Sequence, residues 1–295
     1  MQTATHSTGD PGDRLADATA MDAVTLHVRD LPTMTGYYRD ALALTVIGDG
    51  GDRVVLGRGR VPLVVLNHTP DLPVAAPGQA GLFHTALLFD DEASLAATVA
   101  TAARHPRSQF AGSSDHLVSN SFYFTDPEGN GVELYWDRPR SAWTYSGDTV
   151  QMAVLPLDPD AFLTRHLTET ALDNVGEAHG KVGHVHLKVG DLATARAFYV
   201  DTLGFAATFE LRGALFVSAG GYHHHMAMNT WNSRGAGPRA ATLGLGQVAI
   251  AVPGRDDLTA LVERLRQRSI AVRDDGATVR FEDPWRSLIE VSAAA

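Results

Sequence analysis

Apolar residues at every second position open two stretches of the chain, Val24–Val28 and Val185–Val189, and predict a half-buried strand in each. An aspartate follows in both, Asp30 and Asp191, where a helix N-cap belongs, and an amphipathic run comes after it. Short strand patterns are next: Arg53–Leu56 and Pro62–Leu66 in the earlier stretch, Ala214–Ser218 and His224–Asn229 in the later one. A second strand-and-helix round starts at Leu82–Phe89 and again at Leu245–Val252, with helices predicted over Glu92–Ala103 and Asp256–Arg268. Each round closes on two strands around an Asp-Pro turn, Ser121–Thr125 with Gly131–Tyr135 and Thr278–Glu282 with Ser287–Val291. Four half-units of βαβββ type result.

The four half-units are two tandem copies. Asp30-Leu31 aligns with Asp191-Leu192, Tyr37-Tyr38 with Phe198-Tyr199 and Leu42 with Leu203, all at an offset of 161. Later pairs repeat at nearby offsets: Leu66-Asn67 with Met228-Asn229, Asp126-Pro127 with Asp283-Pro284, Glu133 with Glu290. A period of more than 100 residues is too long for a solenoid and marks duplicated modules. The organisation read from this is a polar, Gly/Pro/Thr-rich disordered arm over residues 1–20 and a first module over 21–136. A connector follows over 137–180, with a helix at Pro159–Glu169, and then a second module over 181–292.

Composition narrows the function. A net charge of −10 argues against a nucleic-acid backbone as partner, which asks for a basic face. No apolar run approaches the ~18 residues of a membrane span, and residues 1–20 show neither a basic nor an apolar leader region, so a cytoplasmic location is expected. Cysteine is absent, which removes disulfides and thiolate ligands.

The stretches DLATARAFYVDTLGF and FTDPEGNGVELYWDRPR resemble the vicinal oxygen chelate superfamily of glyoxalase I, bleomycin-resistance proteins and extradiol dioxygenases. GHVHLKVGDL, GGYHHHMAMNTW and SSDHLVSNSFYFTDPEGNGVELYWDRP together are similar to its two-module, catechol-2,3-dioxygenase-like branch. The resemblance implies an α+β fold in which four βαβββ half-units form two cupped mixed sheets. It also implies metal ligands on the first and fifth strands of a module, sometimes the fourth, and a glutamate on the eighth.

Neither copy holds the full His, His, Glu set at those positions. The second copy has His184 on its first strand where the first copy has Ala23; the first has His84 on its fifth strand where the second has Gln247. Both have the glutamate, as Glu133 and Glu290. Joining the front half of copy two to the rear half of copy one restores His184, His84 and Glu133, and leaves Ala23, Gln247 and Glu290 as a degenerate remainder. The expectation is that the modules exchange halves and that one mixed cup binds metal. Two imidazoles and a carboxylate with open positions suit Fe(II), and Mn(II) or Zn(II) as well.

Around that triad the run His223-His224-His225 offers acid–base groups of near-neutral pKa. Strand alternation presents either His224 alone or His223 with His225 to the cup; the second parity is preferred because it also aims Asn229 and Trp231 inward. Tyr123 lies ten residues before Glu133, where the resemblance to extradiol enzymes implies a tyrosine that supports the metal site from just outside its ligands, and His116 falls near another polar active-site position. His186 shares parity with His184, and Tyr135 with Glu133. Met226, Met228, Phe122 and Trp231 form either an apolar wall or ordinary core. The resemblance implies Fe(II)-dependent extradiol cleavage of a small aromatic catechol by O2, in a chain without nucleic-acid or membrane partners that could form a homo-oligomer. The rival readings are a metal-dependent glyoxalase-type isomerase or lyase, and a metal-free binding or resistance protein.

Overall fold

The computed structural model describes residues 14–147 and 149–294. Two curled mixed sheets of nine strands each carry the chain. The expected helices form behind aspartate caps: Asp30 accepts from Thr33 N at 3.0 Å to start Leu31–Asp40, Asp91 from Ser94 N at 2.7 Å to start Glu92–Arg104, and Asp191 from Thr194 N at 2.7 Å to start Leu192–Tyr199. A fourth long helix spans Arg255–Gln267. The first strand after each long helix, which the apolar pattern missed, completes every half-unit: Thr45–Asp49, Gln109–Asp115, Ala206–Leu211 and Arg273–Asp274. Their outward residues are largely exposed, so alternation is weak there.

The halves are exchanged. One sheet runs Arg273–Asp274, Thr278–Glu282, Leu288–Ala293, Gly244–Val252, Val24–Val28, Val61–His68, Arg53–Arg58, Thr45–Asp49, joining the rear of copy two to the front of copy one. The other runs Leu155–Pro156, Gln109–Asp115, Ser119–Thr125, Gly131–Asp137, Gly81–Phe89, Gly180–Lys188, Met226–Asn229, Ala214–Ser218, Ala206–Leu211. Each sheet is sewn at its middle by one antiparallel pair across the copies: Gly244–Val252 with Val24–Val28, and Gly81–Phe89 with Gly180–Lys188. Buried tyrosines tie the sheets together. Tyr38 donates to Asp126 at 3.0 Å and Tyr199 to Asp283 at 2.8 Å, so each Asp-Pro turn is anchored on the front half of its own copy, in the other sheet.

Three expectations are corrected. Of the disordered arm expected over residues 1–20, residues 1–13 lie outside the described residues, and residues 14–20 are ordered. Leu15 is buried, its N–H donates to Gly204 O at 2.9 Å, and Ala20–Met21 pairs with Gly244–Val252. The connector helix stops at His166, and Thr168 caps a second short helix, Glu169–Asp173. The strand expected over His224–Asn229 begins only at Met226, while its partner begins earlier, at Gly180.

Candidate metal centre

The central strands of the second sheet bring the expected triad together. His184 stands opposite Ala86, and Ala86 is in parallel register with Glu133, so one row crosses three strands. The next row is His186, His84 and Gly131. Side chains two apart on a strand share a face, which puts His84 beside this row on the same side. Small residues keep the spot open: Ala86 lies beneath it, and a methyl at Gly131 would collide with the Phe83 carbonyl and stand 3.0 Å from His84 Cβ.

The ligand-type atoms of His84, Glu133 and His184 lie within 4.8 Å of one another, and no other such group occurs among the described residues. All three residues are buried, at 6%, 3% and 2% exposure. His184 Nε2 is 3.1 Å and His84 Nε2 2.9 Å from the same oxygen, Glu133 Oε2. Although it sits at ion-pair distance from Glu133, the buried His84 Nε2 has no hydrogen-bond partner. A cation between the three would satisfy it. Burial alone would raise the Glu133 carboxyl, but the His184 and His84 rings outweigh it and hold it well below the ordinary range. Burial pushes His184 down to about 4 against the pull of Glu133. A neutral imidazole and an ionised carboxylate are the protonation states a divalent ion requires. The residues fit a metal.

In the other sheet the remnant set does not. Ala249 matches Glu290 in register as Ala86 matches Glu133, but Glu290 is paired with Arg280 Nε at 2.6 Å, and Gln247 faces Thr25.

A cavity of about 970 Å³ opens over the triad. Its walls include Phe83, Phe209, Phe216 and Trp231, with His116, Tyr123, His186 and His224 as polar lining. His116 Nδ1 lies 2.7 Å from Ala153 O and so carries its proton there; its Nε2 then accepts from Tyr123 O–H at 2.7 Å. Burial holds the Tyr123 phenol well above its ordinary range, protonated, with Glu133 adding to the effect. Tyr123 therefore turns an acceptor oxygen toward the cavity. His186 Nε2 is fixed by Asn229 Nδ2 at 3.0 Å, and its ring lies 4.9 Å from that of His84. Trp231 is 47% exposed at the rim. Asn229 and Tyr135 support from behind and do not line the cavity: Tyr135 packs its ring 4.9 Å from His184. Met226, Met228 and Phe122 belong to the core.

The histidine run corrects the preferred parity. His224 lines the cavity, its ring centroid 4.1 Å from that of His184. His225 is turned away, with its Nδ1 accepting from Ala219 N at 3.2 Å. His223 is wholly buried behind His224. Alternation failed because the run is a bend that ends where the strand begins, at Met226. Behind His224 lies a chain of bonds the sequence did not disclose. His223 Nδ1 is 2.7 Å from His224 Nδ1, and His223 Nε2 is 2.8 Å from Asp137 Oδ1. Asp137 Oδ2 accepts from Tyr222 O–H at 2.7 Å, and Tyr222 meets Tyr135 at 2.8 Å. Asp137 and Tyr222 carried no signal, being 85 residues apart in sequence.

A family model described as Glyoxalase/Bleomycin resistance protein/Dioxygenase superfamily matches residues 20–134 and 181–291. The chain is 33% identical over 267 residues to Catechol-2,3-dioxygenase of Bacillus subtilis (strain 168), covering 88% of this chain and 92% of that one. Among solved structures it is similar to a protein of Bacillus subtilis subsp. subtilis str. 168 (TM-score 0.63, 13% identity, 95% of this chain and 86% of that one). It is also similar to glyoxalase I from Zea mays (TM-score 0.56, 16% identity, 94% and 92%). At these identities the two structures speak for the fold alone. Among the described residues no helix is long and apolar enough to cross a membrane.

Proposed function

The chain belongs to the Glyoxalase/Bleomycin resistance protein/Dioxygenase superfamily, on its dioxygenase side, and we propose that it opens the ring of a catechol with O2 in an Fe(II)-dependent extradiol reaction. The observation that carries this reading is one cavity holding both a buried His84–Glu133–His184 cluster and, against it, a histidine wired to a carboxylate.

His84, His184 and Glu133 would hold the ion, and three protein ligands leave room for further ones. Bound iron supplies a template for two vicinal oxygens and O2, and a path for electron density between them.

The protein's own part is proton handling and shape. His223 donates Nε2–H to Asp137, so its Nδ1 is bare and accepts Nδ1–H of His224. That tautomer leaves His224 Nε2 with a free lone pair on a residue that lines the cavity. Burial, with the neighbouring His184 and His223 rings, holds His224 well below its ordinary range, so it starts neutral. It can accept a catechol hydroxyl proton as general base and return that proton as the ring opens. Asp137 stabilises the charge that reaches His223 while this proton is held. Tyr123 accepts a hydrogen bond from the second hydroxyl, and the Phe83, Phe216 and Trp231 walls sandwich an aromatic ring and exclude water.

Reconstitution with Fe(II) under anaerobic conditions, then addition of catechol and air, should consume O2 and give a yellow product. Absence of O2 uptake with any catechol, together with turnover by the Zn(II) or Ni(II) form on a glyoxalase-type substrate, overturns the proposal.

A further inference from the structure

The cavity contains one ammonium that ring opening does not use. Lys188 ends the strand of His184 and His186, lines the metal cavity, and also lines an adjoining cavity of about 550 Å³. It is only partly exposed, and among the described residues its ammonium has no ion pair or hydrogen-bond partner. Gly81 is its register partner, and Arg239 Nη1 lies beside Gly81, 3.6 Å from where a Cβ there would stand. Arg239 is itself 8% exposed, lines the adjoining cavity and gives Nη2 to Leu245 O at 2.6 Å.

The acids nearby are engaged elsewhere. Glu128 accepts from Arg29 N and Asp30 N at 2.9 Å, Asp30 caps Thr33 N, and Asp283 accepts from Tyr199 O–H, Trp285 N and Ser287 N. Two neighbouring cations therefore share a half-dry wall in which neither makes an ion pair among the described residues, although the Asp283 carboxylate favours the charge of Arg239 from behind, inside a chain whose net charge is −10. Burial and then Arg239 push the Lys188 ammonium below its ordinary range, a penalty an anion beside it would remove.

We propose that Lys188, with Arg239 behind it, binds an anionic group on the aromatic substrate, so that the substrate class is a catechol bearing a carboxylate on a short side chain. The inference rests on the reading of the cavity as a catechol site. Lys188 is four residues along the strand from His184, about 13 Å of rise. The lysine's own length and a two- or three-carbon side chain on the ring together span that gap. The aromatic walls would hold the ring between the triad and the ammonium.

The test needs neither metal nor turnover. The metal-free protein is titrated calorimetrically with 3-phenylpropionate and with its neutral counterpart 3-phenylpropanol. The acid should bind at least about tenfold more tightly, which is about 1.4 kcal/mol, and added salt should narrow the difference. Lys188→Met should abolish the preference, and Lys188→Arg should retain most of it, with thermal unfolding checking that both variants fold. Equal binding of the two probes by the unaltered protein overturns the proposal, as does a preference that survives Lys188→Met. A preference for the acid in a protein that cleaves no catechol would refute the ring-opening reaction and leave the anion site standing.

Discussion

His184 and Ala86 face each other across adjacent antiparallel strands, one from the second copy and one from the first. Because Ala86 is also level with Glu133, its methyl is the floor over which an imidazole and a carboxylate lean together. The candidate site thus depends on a pairing between strands about a hundred residues apart in sequence.

That floor must be small. Ala86→Leu would thrust an isobutyl group between His184 and Glu133, and overpacking of this kind costs about 1–3 kcal/mol. The variant should lower the thermal midpoint of the metal-free protein and lose metal binding, measured by equilibrium dialysis. Wild-type metal content in Ala86→Leu would show that the row does not converge as described.

The two sheets should differ in metal binding. Protein loaded with Fe(II) and desalted should carry about one ion per chain, falling to about a tenth or less in His84→Ala or Glu133→Gln, since a lost ligand removes much of the binding free energy. Gln247→Ala should change nothing, because the other sheet has Glu290 tied to Arg280. Elemental analysis reads all three.

Neighbouring histidines should separate by function. His224→Ala should lower kcat by about 10²–10⁴-fold, the usual worth of a general acid–base group. His225→Ala should leave kcat within about tenfold, as that ring faces away from the chemistry. Asp137→Asn should shift the acidic limb of the pH–kcat profile and not only its height, since it alters the acceptor that sets the His223 tautomer. Equal losses at 224 and 225 would contradict the assigned orientation.

Stability of the metal-free protein should fall with acid. His184 takes a proton near 6.5 when unfolded but only at about 4 when folded, and burial lowers His186, His224 and, to about 3, His225 in the same sense. Between pH 6.5 and 4 the unfolded chain therefore binds more protons, and folding weakens as pH falls. His184 by itself accounts for roughly 3 kcal/mol over that window. Glu133, depressed in the fold, adds its loss at still lower pH. The urea midpoint should decline steadily from pH 7 to 4.5, and a flat profile would count against these buried neutral rings.

Much of the site could be read before folding. The duplication and the aspartate caps are local patterns, the ligand columns followed from the family resemblance laid over that duplication, and a gap in one copy filled by the other was enough to suggest exchanged halves. His223–His225 shows where such reading stops. Alternation holds only while the backbone is a strand, and the bend before Met226 reverses which ring meets the cavity. The arm expected over residues 1–20 failed similarly over residues 14–20, since polar composition said nothing of the Leu15–Gly204 and Ala20–Met21 contacts that hold that stretch.

What the chain fixed alone was therefore its periodic content: four half-units, their order, and the side-chain types available to hold a metal. The tertiary structure decided which of those groups meet. His184 with Glu133, His223 with Asp137 and Lys188 with Arg239 are set by strand register and by a cavity wall, and each pair lies more than 50 residues apart. Register comes from the packing of whole sheets, and no local pattern encodes it.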